Sequence, residues 1–135
     1  MALEPGFPFA VIVDDSGGTP RTISASVNAL QYATPRGVQD ITGVSMSAIA
    51  RQLLLADMNV TLTLAAFDDA ANSTHDVFKT VSSSSVARTT SLALSGQTLA
   101  AEILFTDYPW SRGGDGSITS SVPGVLANGA VPTWA

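Results

Sequence analysis

The chain has 135 residues, of which 45% are hydrophobic and only 13% charged, and its formal net charge is −5. This length suits one domain with its own core, so we expect residues 1–135 to form a single domain. Globular domains usually carry about a quarter charged residues, so the low charge indicates a surface that neighbouring molecules cover. The six basic residues are scattered singly, which argues against binding nucleic acid through its phosphates.

The chain contains no cysteine, which excludes disulfides, thiolate metal sites and cysteine nucleophiles. Met1 to Pro8 lacks the basic region and long apolar run of a signal peptide. The longest apolar stretch, Leu53 to Ala56, is far too short to span a bilayer. We therefore expect a soluble protein that is made in the cytoplasm and does not insert into membranes.

Alternating residues predict a β-hairpin at the N-terminal end. The strands are Phe7 to Val13 and Arg21 to Asn28, and the turn contains Gly17-Gly18. Leu30 to Gly43 follows as a long excursion that is interrupted by proline and glycine. Within it, Val38 to Ile41 is compatible with a short strand.

Helix formers dominate Ala48 to Ala56, and the spacing of Ile49, Leu53 and Ala56 places them on one helical face. Ser45 or Ser47 is a suitable N-cap, so this segment is predicted to be the main helix. His75 to Thr80 is compatible with one further helical turn.

Apolar residues in the second half again alternate with polar ones. We predict four strands there: Met58 to Phe67, Val86 to Leu94, Leu99 to Trp110, and Ile118 to Val122, the last ended by Pro123-Gly124. Turns are predicted at Asp68 to Ser73, Ser95 to Gln97 and Arg112 to Gly116. With six or seven strands and no βαβ alternation, the fold class is mainly β, an antiparallel sandwich or barrel with one flanking α-helix.

Candidate catalytic and metal-binding groups are few. Ser73, His75 and Asp76 supply the residue types of a hydrolase triad, but neighbours in one turn rarely reach triad geometry, so a helix-capping turn is favoured. The acidic pairs Asp14-Asp15 and Asp68-Asp69 lack the pattern of a calcium loop and are typical of turns. We expect no catalytic, cofactor-binding or metal-binding residues, and no cofactor.

Two features remain for binding. Trp110, Trp134 and Tyr108 would suit a sugar platform, although anchoring a core or an interface is favoured. Several predicted strands also have one hydroxyl face. With a net negative charge, such a wall would repel a polyanion rather than bind it. These residues are Thr22, Ser24, Ser26, Thr61, Thr63, Thr119 and Ser121.

Three stretches together resemble the tail tube proteins (major tail proteins) of long-tailed bacteriophages. They are Asp40 to Val44 with the Ala48 to Asp57 segment, Phe67 to Asn72 continuing to Lys79, and Leu104 to Tyr108 continuing through Asp115 to Gly124 and Trp134. The resemblance covers most of the chain from Asp40 onward and supplies no catalytic residues.

The resemblance implies a β-sandwich with a flanking helix and subunits that assemble as hexameric, stacked rings. The lumen would conduct DNA into the host without specific binding, and the protein would reside in the virion tail. Tape-measure and terminator or distal tail proteins would be further partners. The Leu30 to Gly43 excursion would reach a neighbour, and Asp14, Asp57, Asp69, Glu102 and Asp107 are candidates for the lumen wall. The alternatives are a capsid decoration or head–tail connector protein, a small carbohydrate-binding module and, more remotely, a small hydrolase.

Overall fold

The computed structural model describes residues 9–45, 47–127 and 131–135. Within these residues the chain forms eleven strands, one short 3₁₀ helix (Ser24–Ser26) and one α-helix, α1 (Thr74–Phe78). The strands are β1 (Phe9–Asp14), β2 (Pro20–Thr22), β3 (Val27–Ala33), β4 (Arg36–Asp40), β5 (Arg51–Ala56), β6 (Asn59–Leu64), β7 (Arg88–Leu94), β8 (Gln97–Phe105), β9 (Ser111–Arg112), β10 (Ile118–Leu126) and β11 (Thr133–Trp134).

Nine strands form one antiparallel sheet in the order β2-β1-β7-β8-β10-β6-β3, with β11 added to β8 and β9 added to β10. The sheet folds over at the junction of β8 and β10, where only three residue pairs join the strands. Residues at the start of the 3₁₀ helix then hydrogen bond to Val11, and Ser26 accepts a bond from the Ala65 amide. These bonds bring the two ends of the sheet together, so the predicted antiparallel, mainly β fold with one helix is confirmed.

The core lies between the two halves of the folded sheet and is closed by α1. Alternate strand residues supply it, because successive side chains of a strand point to opposite faces. From α1, Val77 and Phe78 are fully buried, and the Phe78 ring meets the Phe105 ring edge-on at 5.2 Å. The largest fully buried apolar strand residues are Leu62, Leu64, Leu99 and Ile103, together with Met58 before β6.

A buried arginine fastens α1 to the sheet. The Arg88 side chain is 2% exposed and donates hydrogen bonds to the carbonyl of Val77 in α1, to Thr80 Oγ1 just after it, and to the Asp14 carbonyl. Burial lowers the pKa of the Arg88 guanidinium. The buried Arg88 guanidinium therefore ties α1 to β1 and β7.

The prediction of the main helix at Ala48 to Ala56 is wrong. Arg51–Ala56 is β5, which pairs with β4, and the turn before it is held by Thr42, whose hydroxyl bonds both the amide and the carbonyl of Ala50. Pairing with β4 overrides the helix propensity of these residues. The α-helix lies instead at Thr74–Phe78, which overlaps the segment expected to form one helical turn at His75 to Thr80.

The strand at Ile118 was predicted to end at Pro123-Gly124, but β10 continues to Leu126. The Pro123 carbonyl points toward β8 and accepts a hydrogen bond from the Thr106 amide, just beyond the end of β8. The N–H that proline lacks would point to that same side, so its absence removes no hydrogen bond between β10 and β6. Gly124 is required at this fold of the sheet, since a Cβ there would lie 2.6 Å from Ile103 Cγ2 and 3.0 Å from Phe105 Cδ1.

Most of the other predicted strands and turns lie close to their expected positions, but the strand predicted at Leu99 to Trp110 is β8, Gln97–Phe105, which ends five residues earlier. The tight turn before Gln97 has positive φ at Ser95 and Gly96, which suits a two-residue hairpin. The strand predicted at Arg21 to Asn28 is divided into β2, the 3₁₀ helix and the start of β3. The expected β1 begins at Phe7, which lies outside the described residues.

Candidate self-association surfaces

An apolar β-hairpin extends from the body of the domain. It comprises β4, β5 and the described part of the connection between them, residues 36–45 and 47–56, which we call the arm. Its two strands form a separate two-stranded sheet. The excursion predicted at Leu30 to Gly43 therefore corresponds to the end of β3 and the first half of the arm.

The arm exposes large apolar side chains that its own domain does not cover. Exposure reaches 74% for Leu55, 70% for Ile49 and 53% for Leu53. A two-stranded hairpin is marginal in water by itself, and large exposed apolar patches mark interaction sites. The arm is therefore a candidate binding surface.

The two faces of the arm differ in chemistry. Val38 lies directly opposite Leu53, and Leu55 projects to the same side because residues two apart in a strand share a face. On the other face Gln39 lies opposite Gln52, and the Leu54 side chain is packed over Gly37. The Val38, Leu53 and Leu55 face is the more apolar one.

The outward face of the large sheet, which we call the wide face, carries many small and hydroxyl side chains, together with the exposed Leu104 and Val125. Its members face away from the core by strand alternation and register, and representative ones are Ser91, Ala100, Thr61, Thr63 and Ser121. Thr22 and Thr119 lie on it too, but Ser24 and Ser26 do not. Ser24 Oγ accepts the Val11 amide, and Ser26 is buried against Thr74.

Charge on the wide face is acidic. The register places Thr89 opposite Glu102, whose carboxylate accepts a hydrogen bond from Thr89, and Asp14 ends β1 on the same face by alternation. In the described strands of this face, alternation and register place no lysine or arginine. Of the lumen candidates, Asp14 and Glu102 thus lie on the wide face, whereas Asp57 lies at the base of the arm, and Asp69 and Asp107 lie in loops.

A third surface, which we call the aromatic end, consists of Phe67, His75, Tyr108 and Trp110. Phe67 lies 4.6 Å from His75 and 5.3 Å from Trp110 between ring centroids, and Tyr108 lies 5.7 Å from Trp110. Phe67 is 44% exposed, whereas the other three side chains are half-buried. Sequence reasoning missed Phe67, because its ring partners are distant in the chain.

These contacts bear on the expected sugar platform and triad. Trp134 pairs through its backbone with Leu99 near the start of β8, whereas Trp110 lies beyond the end of β8, so the two indoles are not neighbours on one platform. His75 Nδ1 lies 3.3 Å from the Tyr108 hydroxyl, while the Asp76 carboxylate accepts bonds from the Asn72 amide and Lys79. His75 and Asp76 therefore have different partners, unlike a catalytic pair.

The paired acids act in turns, as predicted. Asp15 Oδ1 accepts the Gly17 and Thr19 amides, and Asp68 Oδ1 accepts the Ala70 amide. The Thr19 amide bond, together with Arg21, holds the pKa of Asp15 below its usual value. Across residues 9–45, 47–127 and 131–135, no three His, Asp or Glu side chains are placed to hold a metal ion, and no helix is long and apolar enough to cross a membrane.

Comparison with solved structures identifies the fold. The chain superposes on a chain from the tail of an empty gene transfer agent particle of C6 symmetry with a TM-score of 0.78 and 14% identity, covering 98% of this chain and 99% of that one. A chain from the virion of a native gene transfer agent particle gives a TM-score of 0.76 at 11% identity, with 98% and 99% covered. A chain from the PVC sheath/tube terminator of an extracellular contractile injection system gives 0.73 at 11% identity, with 100% and 98% covered.

No family model and no curated protein sequence matches the chain. The likeness is thus one of fold, over nearly the whole of each compared chain. The resemblance to tail tube proteins that the sequence suggested is confirmed at that level.

Proposed function

We propose that this protein is a non-enzymatic structural subunit of a phage-like tail, which assembles with copies of itself into stacked rings around a bore. The observation that carries the proposal is the arm, an exposed apolar hairpin on a domain with a tail-protein fold. A hairpin of this kind is stabilised once a neighbouring copy covers it.

Ring formation would use the edges of the large sheet. β3 and β2 end the strand order, and β3 presents seven residues without a further partner strand among the described residues. Strand edges of this kind pair readily with another chain. The C6 symmetry of the gene transfer agent tail supports six subunits per ring.

The wide face would line the bore. Its hydroxyl and small side chains, together with Asp14 and Glu102, offer DNA no cationic contacts, so DNA would pass without specific binding. In this proposal the protein resides in the virion tail, and tape-measure and terminator or distal tail proteins contact the ends of the tube. A capsid decoration protein or a sugar-binding module gains no specific support from the arm.

Electron microscopy of the purified protein and one pair of variants tests the proposal. Wild-type protein is expected to form hollow tubes at high concentration. Leu53→Asp places a charge on the apolar face of the arm and should abolish tubes while leaving the fold intact by circular dichroism. Gln52→Asp adds the same charge to the opposite face and should still form tubes. Wild-type protein that stays monomeric at every concentration, or Leu53→Asp tubes indistinguishable from wild type, would refute the proposal.

A further inference from the structure

The arm and the aromatic end lie at opposite ends of the domain. The arm joins the body at the start of β6, where the Asp57 amide bonds to the Pro35 carbonyl, whereas Phe67 follows the end of β6. The six residues of β6 separate the two regions by roughly 17 Å at the usual rise per strand residue. Trp110 lies on the same side as Phe67, because β9, which follows it directly, pairs with the beginning of β10.

The arm is the less negative end of the domain, although Asp57 lies at its base. Arg36, Arg51 and Asp40 give the arm a net charge of +1, whereas the whole chain carries −5, so the residues outside the arm carry −6. Near the aromatic end, Asp68 and Asp69 follow Phe67, and Asp107 precedes Tyr108.

The other charged groups around the aromatic end do not reverse this balance. Asp76 and Lys79 form an ion pair at 2.9 Å, and Arg112 follows Trp110 by two residues. The surroundings of the aromatic end therefore remain negative overall.

The two ends also match in chemical type. The arm offers Val38, Leu53 and Leu55 on one face, and the cross-strand pair Arg51 and Asp40 lies on that same face by alternation and register. The other end offers the exposed Phe67 ring beside Tyr108 and Trp110. Aromatic residues and arginine are the types enriched at protein interfaces.

We infer that the Val38, Leu53 and Leu55 face of the arm docks on the aromatic end of a second copy of this chain. The inference rests on the proposed function and names the partner surface for the arm. A contact between different surfaces at opposite ends of one domain is head-to-tail, and such contacts propagate as open stacks unless a rotation closes them. Phe67 would then be covered by the neighbour's leucines, and Arg51 would lie near the acidic loops.

Disulfide crosslinking tests the contact directly, because the chain has no cysteine of its own. Leu53→Cys and Phe67→Cys are combined in one chain, assembled, oxidised and run on a non-reducing gel. Repeated head-to-tail contacts should give a ladder of covalent multimers, whereas each single variant should give none beyond dimers. The matched control combines Leu53→Cys with Ser121→Cys on the wide face and should also give no ladder.

The outcomes separate this inference from the proposed function. Tubes that form normally but give no ladder, or a ladder from the Ser121 control instead, would overturn the docking contact and leave the tail role standing. Wild-type protein that forms no assembly would overturn both. If the paired cysteines themselves prevent assembly, Arg51→Glu provides the second test. It should raise the concentration needed for assembly at least tenfold at low salt, an effect that high salt reduces, and unchanged assembly would contradict the inference.

Discussion

Gly124 lies where the sheet folds over, and its replacement by alanine gives a sharp test of the packing. The added Cβ would lie 2.6 Å from Ile103 Cγ2 and 3.0 and 3.2 Å from Phe105 ring carbons, against the roughly 3.5 to 4.0 Å of an optimal carbon contact. Overpacking of this kind typically costs about 1–3 kcal/mol. We therefore expect Gly124→Ala to lower the free energy of unfolding by about 2 kcal/mol.

Urea unfolding of dilute, unassembled protein measures this loss. At a denaturant dependence of about 2 kcal/mol per molar urea, the midpoint should fall by about 1 M. Gly114→Ala is the matched control, because a Cβ there meets no atom within 4 Å. It should change stability by about 0.5 kcal/mol or less, or slightly stabilise the protein by restricting the unfolded chain. Equal midpoints for the two variants would refute the packing described at the β8–β10 junction.

Three further predictions concern charge. Hydrogen bonds to the Thr19 amide and Arg21 lower the pKa of Asp15, so this carboxylate stabilises the fold above about pH 4. The stability difference between wild type and Asp15→Asn should shrink as pH falls through the lowered pKa, and urea midpoints between pH 7 and 2 that stay equally separated would contradict this. Arg88→Met removes the guanidinium that donates to the Val77 carbonyl and should lower the free energy of unfolding by about 1–3 kcal/mol, with faster amide exchange in α1. Unchanged exchange in α1 would argue against a role for Arg88 in holding the helix to the sheet. Ser121→Lys should leave tubes intact but make them retain short DNA in a salt-dependent way. If the wide face pointed outward instead, this variant would retain DNA no differently from a variant with a lysine elsewhere on the outer surface.

The regular strands could be predicted because one face of each is buried. Val60, Leu62 and Leu64 alternate with Thr61 and Thr63, and this period of two is what the folded sheet requires. Hairpin turns were equally local, since Ser95-Gly96 supplies the backbone conformations that a two-residue turn needs.

The arm could not be predicted as a strand from local signals. Leu53, Leu54 and Leu55 are consecutive apolar residues, and such a run fits a helix or a strand equally well. The decision comes from β4 and from Thr42, which holds Ala50 across the turn. Both faces of β5 are exposed in the single chain. Its apolar run therefore does not alternate with polar residues, and this alternation is the signal that would predict a strand.

The aromatic end was only half visible in the sequence. Tyr108 and Trp110 were identified as anchors for a core or an interface, but Phe67, in a loop, and His75, in α1, reach them only through tertiary contacts. Spacing along the chain carries no record of such contacts.

A three-dimensional reconstruction of the purified assembly by electron microscopy tests the central claim most directly. We predict six-fold rings stacked into a hollow tube, with Glu102 and Ser121 facing the bore and each arm in contact with the next ring. Closed trimers, isolated rings, or a tube whose arms lie free and whose wide face points outward would contradict the account.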